Sequence, residues 1–276
     1  MTKTNLLQDH YLTEEAVRPI DAMDLKGLKW DCLGAACPSS CCSQFAYSRV
    51  SIQEIIPLSR HFPIVFSMVT GEGGESEMHT CIQMKLVREN NYCVHLHKGM
   101  GCKLRSEKPL SCTQYPFRVL RDGSGQHRIN VRMGCPGFSP ESGQPVLLPG
   151  GTLSRFVEAE FIGPAISRLN AQEETGRFAA DLWRYDLIAP GQYTYRGEEV
   201  SFNLVDSRKL YGLTGEVRDE FRRKGYMDLI YAHMDSLEGN FNRLIDSYIE
   251  RSASSELTKI VPTLMSIGPF RSRLAA

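Results

Sequence analysis

Eight cysteines carry the chemistry this sequence can do. Cys32, Cys37, Cys41 and Cys42 fall within the stretch WDCLGAACPSSCC, and Cys93, Cys102, Cys112 and Cys135 follow before the midpoint of the 276-residue chain. Thiolates are soft, strongly donating ligands, and so close a set points to a zinc site or an iron–sulfur cluster, with a four-iron, four-sulfide cluster favoured and zinc the alternative. A ninth cysteine, Cys81, lies between the two blocks inside an apolar run and is expected to stay out of the ligand pool. Disulfides are the competing chemistry, but such frameworks belong mostly to short secreted chains, and nine thiols leave one over.

The residues between the first ligands are small or turn-forming: Gly34, Ala35, Ala36, Pro38, Ser39 and Ser40. Backbone of that kind can wrap closely and aim N–H groups at sulfur, which offsets thiolate charge. The four-residue interval from Cys32 to Cys37 is similar to that of plant-type ferredoxins, although the next interval is three residues where theirs is two. On extended backbone the adjacent Cys41 and Cys42 point to opposite sides, so one of them is expected to face a second metal, a substrate or the core. In CVHLH, strand alternation puts Cys93, His95 and His97 on one face, where the imidazoles are either extra ligands and proton relays or plain polar surface. Arg105, Lys108 and Arg118 either neutralise cluster charge or are solvated, and TGEGGES reads as a turn rather than a phosphate cradle. The chain has no convincing Ser-His-Asp set or HExxH, so nucleophilic and zinc-protease chemistry find no support.

With these residues in view, the chain resembles the YkgJ-like, CxxCxxCC group of zinc- or iron-chelating cysteine-cluster proteins. The likeness rests on the initial cluster, on CVHLHKGMGCKLRSEKPLSCTQYPF and on Cys135-Pro136-Gly137. Its first intervals, four and three residues rather than two and two, look more like the opening motif of flagellin lysine-N-methylases, and the likeness is local to CLGAACPSSCC. The first resemblance implies a metal-chelating protein of redox or protein- or peptide-modifying chemistry. The second implies an S-adenosylmethionine-dependent protein lysine N-methylase, and a zinc-held structural or interaction module without catalysis is the third reading. Whether the chain is an enzyme, an oxidoreductase or an iron–sulfur-dependent modifying enzyme, stays open at this point.

The elements that must position the cysteines are short. Ser51 with Glu54 three residues on marks a helix start, PIVFSMV and MHTCIQMKLV read as strands around TGEGGES, and further short strands form a meander with cysteines near their ends. The expected fold class is α+β, with a small cysteine-rich, metal-organised domain followed by a mainly helical C-terminal region. The boundaries read as an extension at 1–29, the cysteine domain at 30–138, a Pro/Gly/Ser-rich linker at 139–151 and the helical region at 152–276. YTYRGEEVSFN interrupts that region as a hairpin, and a helix is expected over 226–251. Its apolar residues Met227, Ile230, Met234, Leu237, Phe241, Leu244 and Tyr248 step alternately by three and four. That seam is expected to lie against its own domain rather than serve as a dimer surface. Lys+Arg 32 balances Asp+Glu 32, so no global field recruits nucleic acid or an anionic membrane. With no apolar export segment or membrane span apparent, the sequence predicts a cytoplasmic protein with an unidentified protein or peptide partner.

Overall fold

Alternation and turn chemistry act over a few residues, and most of the local elements they predict form in the computed structural model. It describes residues 18–19, 25–37, 41–44, 47–70, 76–84, 93–97, 101–121, 127–132, 134–195 and 198–249. The chain begins with β1 (Arg18–Pro19), β2 (Lys29–Trp30), α1 (Cys41–Gln44), β3 (Tyr47–Arg49) and α2 (Ile52–Ser59). The strands β4 (Ile64–Thr70) and β5 (Ser76–Gln83) flank TGEGGES, followed by β6 (Leu96–His97), β7 (Gly101–Cys102) and α3 (Leu110–Gln114). Next come β8 (Phe117–Arg121), β9 (His127–Val131), β10 (Phe138–Ser139), β11 (Gln144–Pro145), α4 (Arg155–Val157) and α5 (Gly163–Asn170), with a π-helical turn, Glu158–Ile162, between the last two. The chain closes with α6 (Gln172–Arg184), β12 (Ile188–Tyr195), β13 (Glu198–Val205), α7 (Ser207–Tyr211), α8 (Gly215–Arg223) and α9 (Tyr226–Ile249). The architecture is mixed α and β, with several small antiparallel sheets. No helix among the described residues is long and apolar enough to cross a membrane.

The described residues form two compact units, and each is built from two stretches of chain. One comes from within Met1–Glu54 and Arg88–Glu174, the other from within Ile55–Val87 and Thr175–Ala276. In the first, β1, β9 and β8 pair side by side, and β2 lies between β10 and β11. The stretch read as a linker at 139–151 is part of this unit: Gln144 pairs with Trp30, and Val146 is fully buried. Trp30, Phe117 and Phe161 stack mutually at ring separations of 4.8 to 6.5 Å in the core, and Cys135 is buried among them. Aromatic burial of this kind supplies most of a small core's free energy. A side chain at Gly137 would meet the Asp31 carbonyl oxygen at 2.3 Å, which explains why glycine follows Cys135-Pro136.

In the second unit β12, β13, β4 and β5 lie in that order, each antiparallel to its neighbour. Phe66, Phe178, Phe221, Ile230 and Leu182 fill its core, and Thr214 and Asp206 cap helices α8 and α7. Its most informative polar group is His233 on α9, which is fully buried. Antiparallel pairing at Asn203 with Phe66 brings Val205 opposite Ile64, and the imidazole stands between them. Its Nε2 accepts the Val205 N–H at 3.1 Å, and its Nδ1 donates to the Ile64 carbonyl at 2.8 Å, while Ser236 Oγ accepts the Ile64 N–H at 2.8 Å. Only the neutral ring can do both.

Burial pushes His233 down to about 4 from an ordinary 6.5, against a smaller opposing pull from the Ile64 carbonyl. The unfolded chain therefore binds a proton that the folded chain refuses. The stabilisation is complete above pH 6.5, falls as pH drops below it, and is gone below about 4, a loss of about 3 kcal/mol. Urea melts of the wild type at pH 7 and pH 4.5 should show this loss, and His233→Gln should be less stable at pH 7 with a flatter pH dependence. An equal slope in both proteins would remove His233 from the account.

Candidate metal centre

Each ligand of the sequence-predicted pool lies in the first unit, and Cys81 lies in the second, buried on β5 opposite Val65. Cys32 and Cys37 flank a 3-10 turn, Gly34–Ala36, whose Ala36 and Cys37 N–H groups bond to Leu33 and Gly34 carbonyls. Those amides close the turn rather than point at sulfur, contrary to the expectation for this loop. The loop lies on β7, where a Cβ added at Gly101 would stand 3.9 Å from the Gly34 Cα. Both glycines have positive φ, +53° and +75°, a conformation that side chains disfavour.

Cys41 and Cys42 open α1, so the extended-backbone expectation that they face opposite ways is corrected. Successive helical residues are about 100° apart, and both thiols can reach one centre. The Cys93 N–H donates to the Cys42 carbonyl at 2.8 Å, which ties the two cysteine blocks together. Cys93 is followed by a turn, its carbonyl accepting the Leu96 N–H at 3.0 Å, so Cys93, His95 and His97 do not share a strand face. The predicted meander is likewise replaced here by turns and two-residue strands, because KGMG and the following KLRSEKP favour turns over extended pairing.

Cys112 sits on α3, and the sequence-predicted capping box positions that helix. Glu54 accepts the Ser51 N–H at 2.8 Å and its hydroxyl at 2.9 Å with one oxygen, and with the other it accepts the Leu110 N–H at 2.7 Å. One buried carboxylate thus starts α2 and α3 together, and the Ser48 hydroxyl donates to Ser111 beside it. Glu54→Ala should cost about 2–3 kcal/mol, because two buried N–H groups lose their acceptor. Thermal melts should show the loss, and Glu54→Gln, whose amide keeps one accepting oxygen, should recover part of it.

Burial raises the Cys112 thiol above its ordinary range, and the charges of Cys93, Cys42 and Cys102 raise it further. The Cys41 thiol is raised first by a hydrogen bond shared with Cys42, then by burial and by Cys42, Cys112 and Cys32. The Tyr115 hydroxyl is pushed up to about 12, chiefly by burial and then by Cys135, Cys41 and Cys37, while the Arg132 guanidinium pulls it down. These influences tie Cys32, Cys41, Cys42, Cys93, Cys102 and Cys112 to one another, and Cys37, Cys41 and Cys135 to Tyr115. Tyr115 thus lies within the influence of three of these thiols, and its one signal in the sequence is its place directly after the Cys112 helix in CTQYPF. Arg105 and Arg118 are exposed, and Lys108 is half-buried.

The donor set fits a soft metal: eight sulfurs in one unit, with no disulfide among the nine cysteines. It is not a preassembled site. Among the described residues no three His, Cys, Asp or Glu side chains are arranged to hold one ion, so the expectation of a ready-made iron–sulfur or zinc centre is corrected.

No curated protein and no solved structure matches the chain. The family model described as SapC matches residues 32–244, from the first cysteine of the cluster into α9. That match overturns the resemblance to the YkgJ-like cysteine-cluster group and the local likeness to flagellin lysine-N-methylases. Ordered cysteines separated by turn-forming residues recur in unrelated chains, so their order does not report ancestry. Over most of its length this chain belongs to the SapC family.

Proposed function

We propose that this chain is a thiolate-cluster protein that takes up a soft metal, with an iron–sulfur cluster as its expected occupant and a redox or protein-modifying role. One observation carries the reading: the eight cysteines of the predicted ligand pool gather in one unit, while Cys81, the thiol assigned no ligand role, lies in the other. Chance burial of unrelated thiols gives no reason for that sorting. The mutual influence of Cys32, Cys41, Cys42, Cys93, Cys102 and Cys112, and of Cys37, Cys41 and Cys135 on Tyr115, supports the reading.

Loaded, the centre would supply electron transfer through its iron, or Lewis acidity alone if zinc fills it. The chain's own contribution is to keep the eight thiols in one unit, to bury Cys93 and Cys135, and to leave Cys32 at the surface, where a partner protein or peptide can approach. A reducing, cytoplasmic compartment suits nine cysteines outside disulfides. Anaerobic purification should yield brown protein with iron and acid-labile sulfide in matching amounts. Colourless protein with stoichiometric zinc and no sulfide would replace the redox reading, and protein without any metal would end the proposal.

A further inference from the structure

The chain leaves its first unit after Glu54 and returns to it at Arg88. Cys42 and Cys93 stand on the two sides of that excursion, and the Cys93 N–H donates to the Cys42 carbonyl at 2.8 Å. Backbones joined by such a bond hold their Cα atoms about 5–6 Å apart, in the middle of the range that a disulfide spans, roughly 4.4–6.8 Å. Both thiols are free, Cys93 buried and Cys42 half-buried. The charges of both reach the Cys112 thiol, so the two side chains lie toward a common neighbour. Cys41 is a poor partner for Cys42, although it is next in sequence. Consecutive Cα atoms are about 3.8 Å apart, too close for an unstrained bridge, and both residues lie in the helical turn α1.

We propose that Cys42 and Cys93 form a reversible disulfide, a redox-sensitive clasp on the chain where it departs for the second unit and where it comes back. Hydrogen peroxide is the oxidant. The more accessible Cys42 sulfur attacks one peroxide oxygen, the O–O bond breaks, and Cys42 becomes a sulfenic acid as one water leaves. The Cys93 sulfur then attacks the Cys42 sulfur, the S–O bond breaks, and a second water leaves as the disulfide closes. Two thiols thus give up two electrons and two protons, and the peroxide is reduced to water. A dithiol reductant reverses the bridge by exchange. In a reducing compartment such bridges are transient and redox-sensing. The loop closed between 42 and 93 is long, so the bridge restricts the unfolded chain strongly and stabilises the fold. It needs two sulfurs and no metal, and it therefore goes beyond the thiolate-cluster reading without resting on it. Where both hold, oxidation withdraws two thiols from the ligand pool.

Cross-link mapping tests the clasp. The full chain would be stripped of metal with a chelator, reduced, treated with a small excess of hydrogen peroxide, digested without reductant and sequenced by mass spectrometry. Cys42 joined to Cys93 is expected in the wild type and in Cys41→Ser, and no such link is expected in Cys42→Ser or after dithiothreitol. The thermal midpoint of the bridged wild type should exceed that of the reduced protein by roughly 5–10 °C. Cys93 left as a thiol, or joined to another cysteine, would overturn the pairing, and so would a bridged midpoint no higher than the reduced one. Should Cys42→Ser not fold, fragment ions of the wild-type cross-link separate Cys42 from Cys41 and decide the same point. Because the test is run without metal, its failure leaves the cluster reading standing, and a chain that never binds metal leaves the test intact.

Discussion

Cys112→Ser is expected to lose bound metal and much of the stability of its unit together. Cys112 lies on α3, and its thiol is raised by burial and by the charges of Cys93, Cys42 and Cys102, so under the proposed reading it is the ligand with the most thiol neighbours to lose. A serine oxygen is a harder and shorter donor that does not replace a soft thiolate. Structural thiolate sites hold metal with roughly 10–16 kcal/mol of apparent binding free energy, and that energy is folding energy. Loss of a central ligand should therefore cost on the order of 5 kcal/mol, enough to unfold a marginal unit. Cys81→Ala is the matched control. Its thiol is as buried as a core residue on β5, so the variant should lose about 1–2 kcal/mol to the cavity and keep its metal in full. Metal analysis and calorimetry on the two variants separate these outcomes, and equal metal loss in both would show that the thiols have been sorted wrongly.

Leu237→Asp is the second large effect expected. On α9 the residues Met227, Ile230, Met234 and Leu237 are all buried, Leu237 at 4% exposure, and His233 and Ser236 on the same helix bond to β4. A carboxylate at 237 would be closed off from water among apolar side chains. The cost is about 4 kcal/mol or more, and thermal unfolding should show the helical signal lost at much lower temperature. Glu238→Lys, one residue on and exposed, should shift stability by no more than about 0.5 kcal/mol. A folded Leu237→Asp monomer obtained from a wild-type dimer would show instead that the seam faces a second copy of the chain.

What the sequence made legible was local. The hairpin over YTYRGEEVSFN forms as β12 and β13, the strands around TGEGGES form as β4 and β5, and the helix expected over 226–251 runs Tyr226–Ile249. In each, periodicity or turn chemistry decides the element within its own span. Ser51 and Glu54 form half of the capping box they resemble, Glu54 accepting the Ser51 N–H while its own N–H goes to the Ser51 carbonyl, but nothing in that motif announces that the second carboxylate oxygen would start α3, 56 residues away. Long-range pairing of this sort leaves no trace in a local window. The same holds for the two units: a chain that leaves one compact unit and returns to it changes composition at neither crossing. Residues 139–151 show a related limit, since Pro, Gly and Ser are as suited to the tight turns that set β10 and β11 on Trp30 as they are to a linker. The four-residue helix at Cys41–Gln44 carries too few residues for a periodicity to be read, which is why its two thiols were placed on extended backbone. The family is not legible in the cysteines for a different reason, because ordered thiols recur in unrelated chains.

The central claim, that eight thiols act as one metal-holding set and the ninth does not, is tested most directly by mapping which cysteines metal protects. Anaerobically purified protein would be alkylated with and without a chelator, and each cysteine-containing peptide quantified by mass spectrometry. Cys32 is the sensitive reporter, because it is exposed and ligation would shield it. The account predicts that Cys32 is protected in the loaded protein and becomes the fastest to react after chelation. Cys37, Cys41, Cys42, Cys93, Cys102, Cys112 and Cys135 should gain reactivity with it, while Cys81, buried in the second unit, should stay equally unreactive in both samples. Cys32 alkylated at the same rate with and without chelator, or Cys81 released together with the other eight, would contradict it.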